Sequence, residues 1–105
     1  MFDDIFKKAK EFKEKLDKMQ QELENETFET IVGGGLIKII SNGKGDILSI
    51  DIDESLLSPD KKELLSGLII SGLQSSQEKV KHITEEKMKD LQINLPGFPF
   101  GYEHN

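Results

Sequence analysis

The sequence predicts an α+β subunit made of a long helix, a three-stranded antiparallel sheet and a second long helix. Three observations predict it. Apolar residues recur at three- and four-residue steps from Ile5 to Leu23, β-branched runs broken by glycines follow from Thr27 to Ile52, and Ser58-Pro59-Asp60 opens a second apolar-periodic stretch. A chain of 105 residues suits a single domain with a modest core, here spanning 1–105, with 94–105 as a Pro/Gly-rich tail.

In the first element, Asp3 to about Glu24, the apolar positions are Ile5, Ala9, Phe12, Leu16, Met19 and Leu23, spaced four, three, four, three, four. That is a repeat of about 3.5 residues, the period that keeps an apolar seam turned toward a partner helix. Lys, Glu, Gln, Leu and Met, all strong helix formers, fill most of the remaining positions. At ~1.5 Å per residue the helix is roughly 33 Å long, more than a small three-stranded sheet can cover. Its stripe is therefore expected to need a second subunit.

The period then changes. Thr27 to Val32 is rich in β-branched and aromatic residues, and Gly33-Gly34-Gly35 breaks the chain before a second strand, Leu36 to Ser41. Asn42-Gly43 is the strongest short hairpin signal, because a type I′ turn needs positive φ at both central residues. Asp46 to Ile52 forms the third strand, with Leu48, Ile50 and Ile52 expected on one face and Ile47, Ser49 and Asp51 on the other. Ser58 then reads as an N-cap, Pro59 as the first helical residue and Asp60 as an acid favoured by the helix dipole. The second helix runs to about Leu91, with Leu65, Ile69, Gly72, Ser76, Val80 and Ile83 along one side. Gly67 and Gly72 each cost about 1 kcal/mol against alanine in a helix, so close packing is expected at both.

Catalytic chemistry finds no footing. The chain has no cysteine, which removes disulfides, thiolate metal sites and cysteine nucleophiles together. Asp51, Asp53 and Ser55 imitate the start of a calcium loop, but the required glycine falls on Leu56 and the bidentate glutamate on Lys62. A solvated strand end is the expected reading. Gly43-Lys44 is followed by Gly45, not Ser or Thr, so no Walker A loop exists, and Gly33-Gly34-Gly35 joins two strands where a dinucleotide motif would open a helix. His82 and His104 lack neighbours at metal-ligand spacing. No cofactor, metal or small-molecule substrate is expected. The acidic start Met1-Phe2-Asp3-Asp4 and the short apolar runs predict neither a secretory signal nor a membrane span, which points to the cytoplasm.

The net charge of −6 argues against a polyanion as partner, but its distribution does not. Between Ile5 and Gln20 six lysines (Lys7, Lys8, Lys10, Lys13, Lys15, Lys18) face three acids, a local +3 that leaves −9 for the rest. Opposite charges four apart, at Asp4/Lys8, Lys7/Glu11, Lys10/Glu14, Glu11/Lys15, Lys13/Asp17 and Glu14/Lys18, also describe an ion-paired solvent face. The residues alone favour that solvated face, and they equally allow an adaptor whose helix recruits another protein. All fourteen basic residues are lysine, so bidentate guanine readout by arginine is excluded and any DNA binding should be phosphate-directed.

The order of parts narrows the choice. Lys18-Met19-Gln20-Gln21-Glu22-Leu23 ends the first helix, Gly33-Gly34-Gly35-Leu36-Ile37-Lys38-Ile39 and Asn42-Gly43 follow, Ile50-Asp51-Ile52-Asp53-Glu54-Ser55-Leu56-Leu57 leads into the second helix, and Leu95-Pro96-Gly97-Phe98 comes last. Across nearly its whole length the chain resembles the YbaB/EbfC family of bacterial nucleoid-associated proteins. The resemblance implies an α-β-β-β-α subunit in an intertwined homodimer, and DNA binding in the nucleoid through basic residues of the helices. Carried onto this chain, those are Lys7, Lys8, Lys10, Lys13, Lys15 and Lys18, joined on the second helix by Lys79, Lys81 and Lys87. Ile5, Phe12, Leu16, Met19 and Leu23, with the apolar strand faces, are the expected dimer interface.

Overall fold

The computed structural model describes residues 2–92, and the expected tail lies outside the described residues. The order is α1 (Phe2–Asn25), β1 (Thr27–Val32), β2 (Ile37–Asn42), β3 (Ile47–Ile52) and α2 (Lys62–Gln92), an α-β-β-β-α subunit of the α+β class. The strands form one antiparallel sheet in the order β1-β2-β3. Between β1 and β2 all three glycines take positive φ (+66°, +67° and +102°), a path that L side chains with a Cβ rarely follow. Leu36 is consequently consumed by the turn, and β2 begins at Ile37.

α2 lies across β1 and β2. Ile37 and Ile39 on β2 and Leu56 in the loop before α2 are its buried core, packed with Val32, Ile52, Leu65, Leu68, Ile69 and Leu73. At Gly72 the helix backbone sits so close to the sheet that a Cβ would stand 2.7 Å from Ile39 Cδ1. The buried Ser76 hydroxyl donates to Ser41 Oγ at 3.1 Å one turn further on. Gly67 differs: a Cβ there would meet nothing within 4 Å, so no contact inside the subunit explains it.

β3 departs from simple alternation. A bulge between Ile40 and Ser41 sets Ile47, not Leu48, opposite Ser41, whose side chain faces α2. Because α2 does not cover this edge strand, Ile47, Leu48 and Ile50 remain exposed. Leu57, Leu64 and Ile70 are exposed as well. An open groove of about 310 Å³ on α2 is lined by Lys62, Leu65, Ser66, Ile69 and Ile70.

The β2–β3 turn corrects the type I′ expectation. Gly45 N–H donates to the Asn42 carbonyl at 3.1 Å, and it is Gly45 (φ +95°), not Gly43, that takes the left-handed conformation. The Asn42 side-chain oxygen accepts from the Lys44 and Asp46 N–H groups, both at 3.0 Å. Gly43 has another task. Its N–H donates to the Leu23 carbonyl at 2.7 Å, and an added Cβ would lie 2.8 Å from both that oxygen and Leu23 Cδ2. The hairpin tip thus docks on the last turn of α1. Gly43→Ala is expected to lower stability by about 1–3 kcal/mol through this overpacking, read as an earlier urea midpoint. A midpoint equal to the parent's would refute the docking.

The start of α2 is also resolved differently from the simple cap. Pro59–Lys61 forms a 3₁₀ turn ahead of the helix, and Ser58 holds the cap position without capping; its hydroxyl donates to Asp60 Oδ1 at 2.6 Å. Upstream, Asp53 caps a separate 3₁₀ turn, Glu54–Leu56, accepting from the Ser55 hydroxyl and N–H, which together hold its carboxyl below the usual carboxylate range. The would-be calcium loop is a capped, solvated strand end.

Candidate nucleic-acid interface

The radius of gyration is 19.3 Å and the longest extent 69 Å, against about 13 Å for the radius of a compact chain of this size. The excess comes from two helices that leave the sheet at one end. Lys87 lies 3.6 Å from Glu22 and 3.4 Å from Glu26, and Leu91 shares a cleft of about 230 Å³ with Lys15, Lys18 and Met19. The two helices therefore run antiparallel, meeting over the C-terminal half of α1. Seven acids oppose six lysines on Phe2–Asn25, a net −1, so the basic stretch is confined to the middle of the rod between acidic ends.

Within that stretch the helix sets the lysines at 100° steps. Lys7, Lys10 and Lys18 share one side, opposite Ile5, Phe12 and Leu16. Lys8 and Lys15, two turns apart, occupy one shoulder and Lys13 the other. All six are exposed. The six possible i,i+4 ion pairs reduce to one: Lys13 Nζ meets Asp17 at 3.0 Å. Among the described residues, Lys7, Lys8, Lys10, Lys15 and Lys18 have no carboxylate within 4.0 Å. An exposed pair gains so little over water and counterions that the side chains stay extended.

On α2 the three expected lysines part company. Lys79 Nζ donates to the Glu29 carbonyl and tethers α2 to β1. Lys87, only 24% exposed, is the clamp between the helices. Lys81 is exposed, with no carboxylate partner among the described residues. Lys44 is a basic residue that sequence periodicity could not mark: it projects from the hairpin tip docked on α1. His82 is exposed beside Glu86 at 4.0 Å, and His104 lies outside the described residues.

The seam residues also divide. Ile5 is exposed, and Phe12, Leu16 and Met19 are half-buried. Leu23 is buried under Gly43 within its own subunit.

The sequence pattern of the YbaB/EbfC DNA-binding family matches residues 1–95. A nucleoid-associated protein of Bartonella tribocorum is 38% identical over 99 residues, covering 94% of this chain and 92% of that protein. One from Agrobacterium fabrum is 40% identical over 89 residues, covering 85% and 83%. The crystal structure of an uncharacterized protein from Helicobacter pylori superposes with a TM-score of 0.75 at 25% identity, covering 92% of this chain and 98% of that one. No described helix is long and apolar enough to cross a membrane. The agreement of element order, sheet and family pattern leads to one conclusion: the chain belongs to the YbaB/EbfC DNA-binding family, which is not a family of enzymes.

Proposed function

We infer that this chain binds duplex DNA as a homodimer, mainly through phosphate contacts, and acts in the bacterial nucleoid in organising DNA or regulating genes. One observation carries the reading: five exposed α1 lysines have no carboxylate partner among the described residues and project on a rod beyond the sheet. Ammonium groups already held by carboxylates would release no counterions from DNA, whereas these would. The relatives named as nucleoid-associated proteins support the same assignment.

The homodimer is supported by the apolar surface that the subunit leaves open. β3 and the first turns of α2 present Ile47, Leu48, Ile50, Leu64 and Ile70, with Gly67 leaving space for a close approach. Large apolar side chains left exposed in such number are what a second copy would cover. Two copies joined there carry two pairs of lysine-bearing helices.

The test is affinity for a random duplex measured across salt concentration. About six phosphate contacts give a log–log slope near −5. With no arginine, unrelated sequences of equal length should bind within a few-fold of one another. A slope near zero, or no binding at low salt, would overturn the reading.

A further inference from the structure

The first turns of α1 expose Phe2 (70%), Ile5 (59%) and Phe6 (70%), and every residue from Phe2 to Glu11 is exposed. At about 100° per residue, Phe2, Ile5, Phe6 and Ala9 fall within one sector of the helix. The described part of α2 leaves that sector open, because Leu91 reaches only Lys15, Lys18 and Met19. A helical stretch of about ten residues without tertiary packing is marginal in water. Two phenylalanines one turn apart add apolar surface that water hydrates at a cost.

The charges bordering the sector select what covers it. Asp3 and Lys10, seven positions apart, stand on one edge; Lys8 stands on the other, with Asp4 further round the same side. Among the described residues none of the four has an opposite charge within 4.0 Å. Acids come first along the helix and lysines second. That order is self-complementary for two copies laid antiparallel, since a twofold axis sets each edge against its own reverse. With the axis between Phe6 and Lys7, Asp3 of each copy is level with Lys10 of the other, and Asp4 lies within ~1.5 Å of the level of Lys8. The apolar side chains interleave: Phe2 falls between the levels of Ala9 and Phe12 of the second copy, and Phe6 between those of Ile5 and Ala9. Parallel pairing would set like charges together. A polyanion, whether a DNA groove or an acidic membrane surface, fits poorly because Asp3 and Asp4 stand beside the phenylalanines.

We propose that the first turns of α1 pair antiparallel with those of a second copy, Phe2, Ile5, Phe6 and Ala9 facing their counterparts between Asp3–Lys10 pairs. The contact is separate from the face formed by β3 and the start of α2. Its area is modest. With ~150–250 Å² for each phenylalanine, one copy contributes less than the ~800 Å² of a standard interface, so the pairing is reversible and needs high protein concentration. Copies already joined through β3 and α2 would be linked by it, tip to tip, into longer assemblies, because two twofold contacts at different places on one chain propagate. The pairing does not depend on the DNA-binding reading.

The test is sedimentation velocity of the full-length protein without DNA, at low salt, from micromolar to submillimolar concentration. The parent should pass beyond the mass of a dimer at the upper end. Phe2→Ser/Phe6→Ser should weaken that second step about ten-fold or more and leave the first in place. Asp3→Lys and Lys10→Asp, each alone, should weaken it about five-fold, and the two together should restore it to within about two-fold of the parent, since the exchanged charges meet again across the twofold axis. A serine variant that is monomeric throughout would make the tip pairing the first step, and the β3 and α2 reading would fall instead. A parent that never exceeds a dimer, a second step indifferent to the two serines, or a charge exchange as weak as its single changes would each overturn the pairing. So would serines that leave the mass unchanged and weaken duplex binding, which would give the tips to DNA.

Discussion

Exchanging Lys7, Lys10 and Lys18 together for glutamate is expected to weaken duplex binding by ~100-fold or more at low salt, and to flatten the salt slope by roughly one for each phosphate that is no longer neutralised. These three stand on the outer side of α1, eleven positions from first to last, and among the described residues none is held by a carboxylate. Reversal removes three cations per arm and sets three new carboxylates beside Glu14 and Asp17, so attraction becomes repulsion. The fold should persist, since the three side chains are exposed and glutamate matches lysine in helix propensity, with each new like-charge i,i+4 pair costing only about 0.2–0.5 kcal/mol. Lys13→Glu is the internal comparison. Its ammonium is already committed to Asp17, so its loss should cost DNA binding less than Lys10→Glu does. Fluorescence anisotropy with a labelled duplex, at several salt concentrations, reads both quantities. If the triple variant bound as the parent does, α1 would not be the DNA-contacting element.

The contrast between Lys13 and its neighbours also marks where sequence reasoning stops. The spacing makes six i,i+4 pairs possible, and the structure closes one, because each exposed pair is worth only about 0.3–0.5 kcal/mol. Spacing states what can meet; water and side-chain entropy decide what does. The elements themselves are legible, since period and turn chemistry are local: the bounds of α1, β1 and α2 fall close to the expectation. Departures arise wherever a distant partner intervenes. Asn42-Gly43 announces a turn, but Gly43 is required by the last turn of α1, twenty residues upstream, and positive φ passes to Gly45. The faces of β3 differ from simple alternation because a bulge is a property of two strands, not of one. Lys79 and Lys87 look like Lys81 in the sequence, yet a β1 carbonyl holds the first, and Glu22 of α1 with Glu26 just beyond it holds the second.

The two helix glycines of α2 make the dimer testable without touching a charged residue. Gly72→Leu should collapse stability by ~3 kcal/mol or more, because its Cβ would enter the space of Ile39 Cδ1 at 2.7 Å and crowd Val32 at 3.3 Å. At Gly67 an added Cβ meets nothing within 4 Å, and leucine there replaces a poor helix former, a gain of up to about 1 kcal/mol for the isolated chain. If a second copy packs against the Leu64–Gly67–Ile70 side of α2, the same leucine fills the space that the partner needs. Sedimentation velocity should then show a folded monomer at concentrations where the parent is a dimer, with the dissociation constant raised ~100-fold or more, equivalent to about 3 kcal/mol. Duplex affinity should fall with it, since each monomer offers half the lysines and the release of counterions scales with their number. A Gly67→Leu protein that stayed dimeric would move the interface off α2 and back to the α1 seam of Ile5, Phe12, Leu16 and Met19. Opposite outcomes at two glycines five residues apart would separate packing within a subunit from packing between subunits, a distinction that neither propensity nor periodicity could draw.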